Sequence, residues 1–445
     1  MFFFSLNWVN ADRGLALSRS FKFFKMNFSK LIKLARSDSS ILVIARLLAM
    51  ASILLLVRIG GEEPTGIFAL ISSSTGILAF LLVIGIPSNY TFFVGVENWP
   101  HPTITAAAIL FAIFFGFIGV IIWLALCPIV LTGIFHDSIS ILSLRLAAAC
   151  IPLAIIQTHS LGLLQAFNRL RLYAICNFVA LAVPAFFSVI FYLAMGHPEA
   201  IVYGYIAGLT TSGMTCIACV AQEVKLLNFH VSFGQIRRLV SYGLTGYLGG
   251  LASLANYRLD RLLVGVFVGT SAAGAYSIIS RIAELGRVVP IALQTSFAPK
   301  AANMTDIDAW NRSKKLIEHM SVFTIVVMVL LVPLGAMAIS ILGIESASWQ
   351  DQLLLCVGIF FVAISAPTMG YFIAAGRPSR NTLAAVAGLI ATLVLAPILI
   401  PKYETTGACV ASCMAYIVFG MLLLALFSRG PVRHACTLQQ SSETQ

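Results

Sequence analysis

Long apolar stretches separated by short polar breaks recur along almost the whole chain. Twelve are long enough to cross a bilayer, which takes about 20 predominantly apolar residues in a helix. They lie at 39–60, 66–88, 104–131, 139–164, 173–195, 200–221, 240–267, 274–298, 319–343, 351–375, 382–400 and 407–428. Pro152, Pro184, Pro290, Pro333, Pro367 and Pro397, with the glycines of "GLTGYLGG" (243–250), predict kinked helices. Such breaks are tolerated where neighbouring helices or a cavity satisfy the freed backbone groups. A different pattern precedes the first stretch. In "NFSKLIKLAR" (27–36), Phe28, Leu31, Ile32 and Ala35 share one helical face and Lys30, Lys33 and Arg36 the other. That predicts a helix lying on the membrane surface.

Composition excludes a soluble fold. Of 445 residues, 59% are hydrophobic and 10% charged, and the mean hydropathy is +0.96. One soluble core cannot bury that much apolar side chain. The expected class is an all-α integral membrane protein. Lys and Arg set its orientation. Twenty lie in segments that alternate spans place on the side of the termini, and two, Arg58 and Lys402, lie on the other. Both termini are therefore expected in the cytoplasm, and the net charge of +11 needs no nucleic-acid partner. No signal peptide is evident, and Met26 is an alternative start. Cys216 and Cys219 have CxxC spacing, but within "GMTCIACVA" they read as small apolar fillers. No metal, cofactor or catalytic motif stands out, so no enzyme is expected.

The chain repeats itself. Gly66, Ile71 and Ser72 match Gly274, Ile279 and Ser280, each 208 positions on. Gly162, Ala166 and Arg169 match Gly370, Ala374 and Arg377 at the same offset, and Asp137 meets Glu345. Each unit holds six spans, so both halves face the same way and the pseudo-two-fold axis runs along the membrane normal. The expected organisation is an interfacial N-terminal segment (1–38), a six-helix lobe (39–222), a cytoplasmic linker (223–239), a second six-helix lobe (240–428) and a cytoplasmic tail (429–445).

The chemistry is expected where charge enters the spans. Arg46, Arg145, Arg258, Arg261, Arg281 and Arg287 are the intramembrane cations, and Asp260 and Glu284 the clear acids. Each such charge costs about 2.5–3.5 kcal/mol at helix centre by insertion scales, so it faces an interior, pairs, or serves a ligand. Counting from the turn near Thr270 and Ser271 puts Asp260 level with Arg281 and Arg258 level with Glu284, which predicts those two pairs. Arg261 and Arg287 are then surplus, with Arg46 from the opposite lobe. Guanidinium forks suit diphosphate. Asn256, one turn before Asp260, is expected to hydrogen-bond that carboxylate or a sugar. Arg46 and Arg145 lie nearest span ends, where snorkelling competes. At the 208 offset the first half carries Met50, Ser52, Ile53, Ser73, Gly76 and Ala79, so the site is expected to be asymmetric.

"NYRLDRLLVGVFVGTSAAGAYSIISRI" (256–282) resembles the seventh and eighth spans of polysaccharide-biosynthesis transporters, with Asp260 ahead of Gly274-Ala275-Tyr276. "GYFIAAGRPSRNTLAAVAGLIATLVLAPILIPKYETTGACVASCMAYIV" (370–418) is similar to their last third. The resemblance covers roughly residues 27–430 and is to the Wzx-like O-antigen flippases of the multidrug/oligosaccharidyl-lipid/polysaccharide exporter superfamily. It implies two six-helix lobes in a V. It also implies a polyprenyl-diphosphate-linked oligosaccharide moved across a bacterial inner membrane by alternating access. Membrane lipids, and polysaccharide-assembly proteins as candidates, are the other implied partners. The rivals are a cation-coupled multidrug exporter, a lipid II flippase, and a membrane-embedded polymerase or glycosyltransferase. The first needs cavity carboxylates, which the first lobe lacks. The last needs a longer catalytic loop than these breaks supply.

Overall fold

The computed structural model describes residues 38–95, 97–224, 231–302 and 304–431. The interfacial helix expected at 27–36 and most of the tail lie outside these residues. Among those described, all regular structure is helical. The first half comprises α1 (Asp38–Gly60), α2 (Glu62–Val83), α3 (Ile86–Gly95), α4 (His101–Gly133) and α5 (Ile141–Leu146), then α6 (Cys150–Ala166), α7 (Leu170–Met195) and α8 (Ala200–Glu223). The second half comprises α9 (Phe233–Phe267), α10 (Thr270–Glu284), α11 (Val288–Ala302), α12 (Asp306–Leu342), α13 (Trp349–Ala374) and α14 (Ser379–Ser428).

Among the described residues, eight helical segments are long and apolar enough to cross a membrane, with α5 and α6 counted as one. The remaining crossings are disguised by charge or by breaks. Arginines and Asp260 interrupt α9. The eighth crossing is divided by a 3-10 turn at Leu285–Arg287 between α10 and α11. Helix α14 is two crossings joined at Glu404, whose φ of 51° and ψ of −127° are not helical. The second expected span ends earlier than read and turns at Ile84 and Gly85, both at positive φ, before α3 continues it. Large side chains along the outer helices, such as Phe117 and Ile129 on α4 and Val329 on α12, are each about two-thirds exposed. In water such a surface would aggregate, whereas hydrocarbon solvates it. The chain is a multi-pass membrane protein.

The repeat is visible in the backbone. Helices α5–α6 (141–166) and α13 (349–374) begin and end 208 positions apart. Both finish in the same cap. Asn168 and Gly376 adopt positive φ, and the next amides, of Arg169 and Arg377, donate to the carbonyls of Leu164 and Phe372. This is a Schellman closure, which satisfies carbonyls a helix end would otherwise strand.

Small residues set the helix spacing. On α8, an added Cβ at Gly208 would stand 2.4 Å from the Pro184 Cα of α7, while one at Gly213 would meet nothing nearer than Leu153 at 3.9 Å. Gly208→Ala is therefore expected to cost about 1–3 kcal/mol through overpacking, and Gly213→Ala close to nothing. Apparent unfolding temperatures of the two detergent-solubilised variants, compared with wild type, check this pair.

Candidate functional site

A cavity of about 560 Å³ lies between the halves. Helices α1, α2, α6, α7 and α8 form one wall, with Met50, Phe68, Gly76, Gln157, Asn177 and Tyr205 among the lining side chains. The other wall is α9 with the α10–α11 break. It carries Tyr257, Arg258, Arg261, Arg281, Glu284 and Arg287. Among the described lining residues Glu284 is the sole acid, facing four arginines.

Helical geometry explains which charges arrive there. Arg258 and Arg261 stand three residues apart on α9 and so share a face, as do Arg281 and Glu284 on α10. Asp260 projects about 100° away from Arg261. It is 3% exposed and packs behind the wall. There its carboxylate accepts from the Tyr276 hydroxyl at 2.6 Å, the Arg261 amide at 2.7 Å and Ser412 at 3.4 Å. Tyr276 and Ser412 lie 2.8 Å apart, so α9, α10 and α14 are tied at one point.

The ion pairs differ from those expected. Asp260 does not meet Arg281, and Arg258 does not meet Glu284. Instead Glu284 is shared, accepting from Arg261 at 2.8 Å through one oxygen and pairing with Arg287 at 3.5 Å through the other. Arg287 also lies 3.7 Å above the Tyr257 ring, and Arg261 reaches Ser280 at 3.3 Å. The surplus cations are therefore Arg258 and Arg281, not Arg261 and Arg287. Arg258 crosses to the other half and donates to the Ser72 carbonyl at 2.9 Å. Its guanidinium occupies the space that a side chain at Gly76 would fill. Arg281 lies 6.0 Å from the Phe68 ring, and its Nε is buried with no partner. A buried donor without an acceptor forfeits about 1–3 kcal/mol, more when charged, and an anionic ligand would recover it.

The other expected site residues fall as follows. Asn256 is buried and donates to the Ala385 carbonyl on α14 at 2.9 Å, so it braces the second half and lies outside the cavity lining. Arg46 belongs to α1 one turn before the cavity-lining Met50, and its side chain lies outside the described residues. Arg145 is exposed near the end of α5, as snorkelling expects. Sequence reasoning passed over Tyr257, Gln157 and Asn177, although polar side chains inside apolar spans were a usable signal.

The sequence profile described as polysaccharide biosynthesis protein matches residues 37–299, more than half the chain and all of the cavity's charged wall. The chain belongs to this polysaccharide biosynthesis protein family. A Shigella flexneri protein whose name assigns it as an O-antigen transporter is 22% identical over 403 residues, 87% of this chain and 95% of that one. A Haloferax volcanii protein assigned as the flippase AglR is 24% identical over 192 residues, 41% of this chain and 40% of that one. In fold the chain resembles the lipid II flippase MurJ in an inward closed conformation, with TM-score 0.72 and 14% identity, covering 88% and 87% of the two chains. An inward-facing multidrug transporter of the MATE family gives TM-score 0.68 and 12% identity, covering 88% and 98%. The family members and fold relatives that these names describe are transporters and flippases.

Glu284 is the hinge of the charge network. Glu284→Gln leaves Arg261 and Arg287 facing each other without a counter-charge and is expected to cost about 3 kcal/mol, the lower end for breaking a buried pair. Adding Arg261→Met should return part of that loss. A double-mutant cycle on detergent-stable unfolding temperatures measures the coupling, and purely additive losses would refute it.

Proposed function

We propose that this chain is a flippase that moves a polyprenyl-diphosphate-linked oligosaccharide, an O-antigen or exopolysaccharide repeat unit, across the bacterial inner membrane by alternating access. One observation carries this reading: among the described residues, four arginines face a single acid on the wall of a cavity between two repeat-related halves. Guanidinium forks bind phosphate oxygens bidentately and stay charged at membrane depth. Arg281 and Arg258, which have no carboxylate partner among the described residues, take the diphosphate. Arg287 and Arg261 contribute their remaining donors and are positioned by Glu284. Asp260 holds the Arg261 backbone, and Asn256 fixes the helix beneath. Arg46 supplies a further cation from the first lobe. Gln157 and Asn177 offer amide groups to the sugar.

The lobes run from 39 to 222 and from 240 to 428. A cytoplasmic linker (223–239) joins them, and the N-terminal segment (1–38) and the tail (429–445) lie on the same side. The Lys and Arg bias supports cytoplasmic termini. The protein acts as a carrier rather than an enzyme. The partners are the lipid-linked oligosaccharide and the surrounding lipids, with polysaccharide-assembly proteins downstream. A cation exporter would need acids where this cavity has arginine.

The test is complementation of a deletion strain, with lipid-linked sugars assigned to a leaflet by a membrane-impermeant probe on spheroplasts. Arg281→Ala and Arg258→Ala are expected to reduce outward movement by about tenfold or more each, the loss of one charge-assisted contact, at matched protein levels. Arg145→Ala should leave it unchanged. Normal outward movement in both cavity variants would remove the diphosphate assignment. Unchanged lipid-linked sugars in the deletion strain itself would remove the flippase reading.

A further inference from the structure

The cavity wall opposite the arginines is neutral, and one amide on it has a fixed orientation. Gln157, half-buried on α6, lines the cavity, and its Nε2 donates to the Ser212 hydroxyl of α8 at 2.8 Å. Ser212 is fully buried and has one proton to give. That proton goes to the Leu209 carbonyl of its own helix at 3.0 Å. The Ser212 oxygen is left to accept, so the amide must turn its nitrogen toward it. The Gln157 carbonyl oxygen is left for the cavity. It takes no protein donor among the described residues and is not sealed in the packing. Its neighbour Thr158 also lines the cavity, and its hydroxyl donates to the Ala154 carbonyl at 2.7 Å, which leaves that oxygen to accept as well.

Packing alone does not call for this amide. At the 208 offset Gln157 and Ser212 become Ser365 and Gly420, and Thr158 and Asn177 become Ala366 and Ala385. The Ser365 hydroxyl bonds to the Val362 carbonyl of its own helix at 2.9 Å. A Cβ at Gly420 would lie 2.5 Å from the Phe361 carbonyl oxygen. The second half therefore packs the equivalent helices closely with no amide between them at this point. Conversely, Arg258, Arg261, Arg281 and Arg287 have Met50, Ile53, Ser73 and Ala79 as their equivalents. The halves thus depart from each other on the two walls of the cavity with opposite chemistry. Guanidinium groups, which only donate, stand on one. Neutral oxygens that accept stand on the other, with Asn177 and the Tyr205 hydroxyl able to do either.

We propose that Gln157, held by Ser212, reads a hydrogen-bond donor, an N–H or O–H, on the sugar that adjoins the diphosphate. The proposal rests on the flippase reading. At neutral pH a diphosphate diester has oxygens and no proton to give, so it belongs on the arginine wall and gains nothing from the Gln157 carbonyl. On a lipid-linked sugar, the groups that satisfy a carbonyl acceptor are a hydroxyl and an acetamido N–H. A cavity of about 560 Å³ is the size of a small-molecule site, roughly 300–1,000 Å³. What fits between the walls is therefore the part of the oligosaccharide next to the diphosphate. A ligand without the donor leaves the acceptor unpaired as the site loses water, and that loss is the discrimination. Gln157 sets the specificity, and Ser212 is a positioning residue that acts through it.

The test is binding to the full-length protein in nanodiscs. The probes are farnesyl diphosphate carrying glucose or N-acetylglucosamine, each with its sugar hydroxyls free or methylated. Methylation strips every sugar donor from glucose and leaves N-acetylglucosamine only its N–H. Gln157→Met is expected to weaken binding about fivefold, the loss of one neutral hydrogen bond, for a probe that keeps the donor and not for methylated glucose. A loss with free glucose identifies a hydroxyl, and a loss with methylated N-acetylglucosamine identifies the N–H. Ser212→Ala should give part of the same loss beside Gln157 and none once residue 157 is methionine, whereas a merely structural serine would act in both backgrounds. Arg145→Ala should change no probe. Equal affinities of wild type and Gln157→Met for both free sugars would overturn the proposal, as would an equal loss with methylated glucose. Wild-type binding of every probe by Arg281→Ala, with the Gln157 effect intact, would keep the sugar subsite and sink the diphosphate reading instead.

Discussion

Charge at membrane depth is the constraint on which the second half of this protein is organised. Hydrocarbon offers a guanidinium no partner, so it must face a cavity or find a counter-charge, a carbonyl or a π-face within the protein. Glu284 meets that demand for two arginines at once. It stands immediately before the 3-10 turn at Leu285–Arg287, and Arg287, three residues on, stays on its face, as it would in a straight helix. One carboxylate therefore holds an arginine from its own crossing and another from α9. Tyr257 then closes Arg287 from above.

Behind this wall the polar contacts are of another kind. Asp260, Tyr276 and Ser412 satisfy one another among three helices, and Asn256 bonds the Ala385 carbonyl. These groups face inward to the second half and fix the mutual placement of α9, α10 and α14. The cavity-facing arginines thus stand on a rigid base, which is what a binding site needs if its donors are to be aimed before the ligand arrives. Arg258 is the exception, since it leans on the Ser72 carbonyl of the opposite half. Its bond exists only while the halves are this close.

Much of this was legible in the chain. The apolar stretches fall on helices of the fold, eight of them among the described residues long and apolar enough to cross a membrane, because a lipid-facing helix demands apolar length. The 208-residue repeat was legible because three regions, around Gly66, Gly162 and Asp137, match their counterparts at one offset. Depth was legible too, since residues counted from the turn read near Thr270 and Ser271 give height along a helix, and Arg261 and Ser280, one residue from Asp260 and Arg281, do meet. Azimuth was not worked out. Asp260 and Arg281 are level, yet about 100° of rotation per residue separates Asp260 from its neighbour Arg261 and turns it to the far face. Nor did hydropathy mark the turns at Ile84–Gly85 and Leu285–Arg287, because "LVIGIP" and "ELGRVV" stay largely apolar, although Gly85 and Pro87 were a usable breaker signal for the first. Those two breaks lie in the elements that form the cavity walls.

The repeat and the site pull the sequence in opposite directions, and position 76 shows how the conflict is resolved. Its equivalent in the second half is Glu284. A glutamate at 76 would stand against Arg258, since even a Cβ there would overlap the guanidinium. The pair would cancel one of the two surplus charges and would join the halves by a desolvated ion pair. That bond is far harder to break than a bond to one carbonyl. Glycine avoids both consequences. It leaves the cavity cationic and keeps the contact between the halves weak at the level of the ligand. Where the equivalents instead stay alike, as at Gly66 and Gly274, the two halves approach within backbone contact, which a missing Cβ on each side allows. Symmetry is thus kept where the halves bear on each other and given up where they must bind a charge.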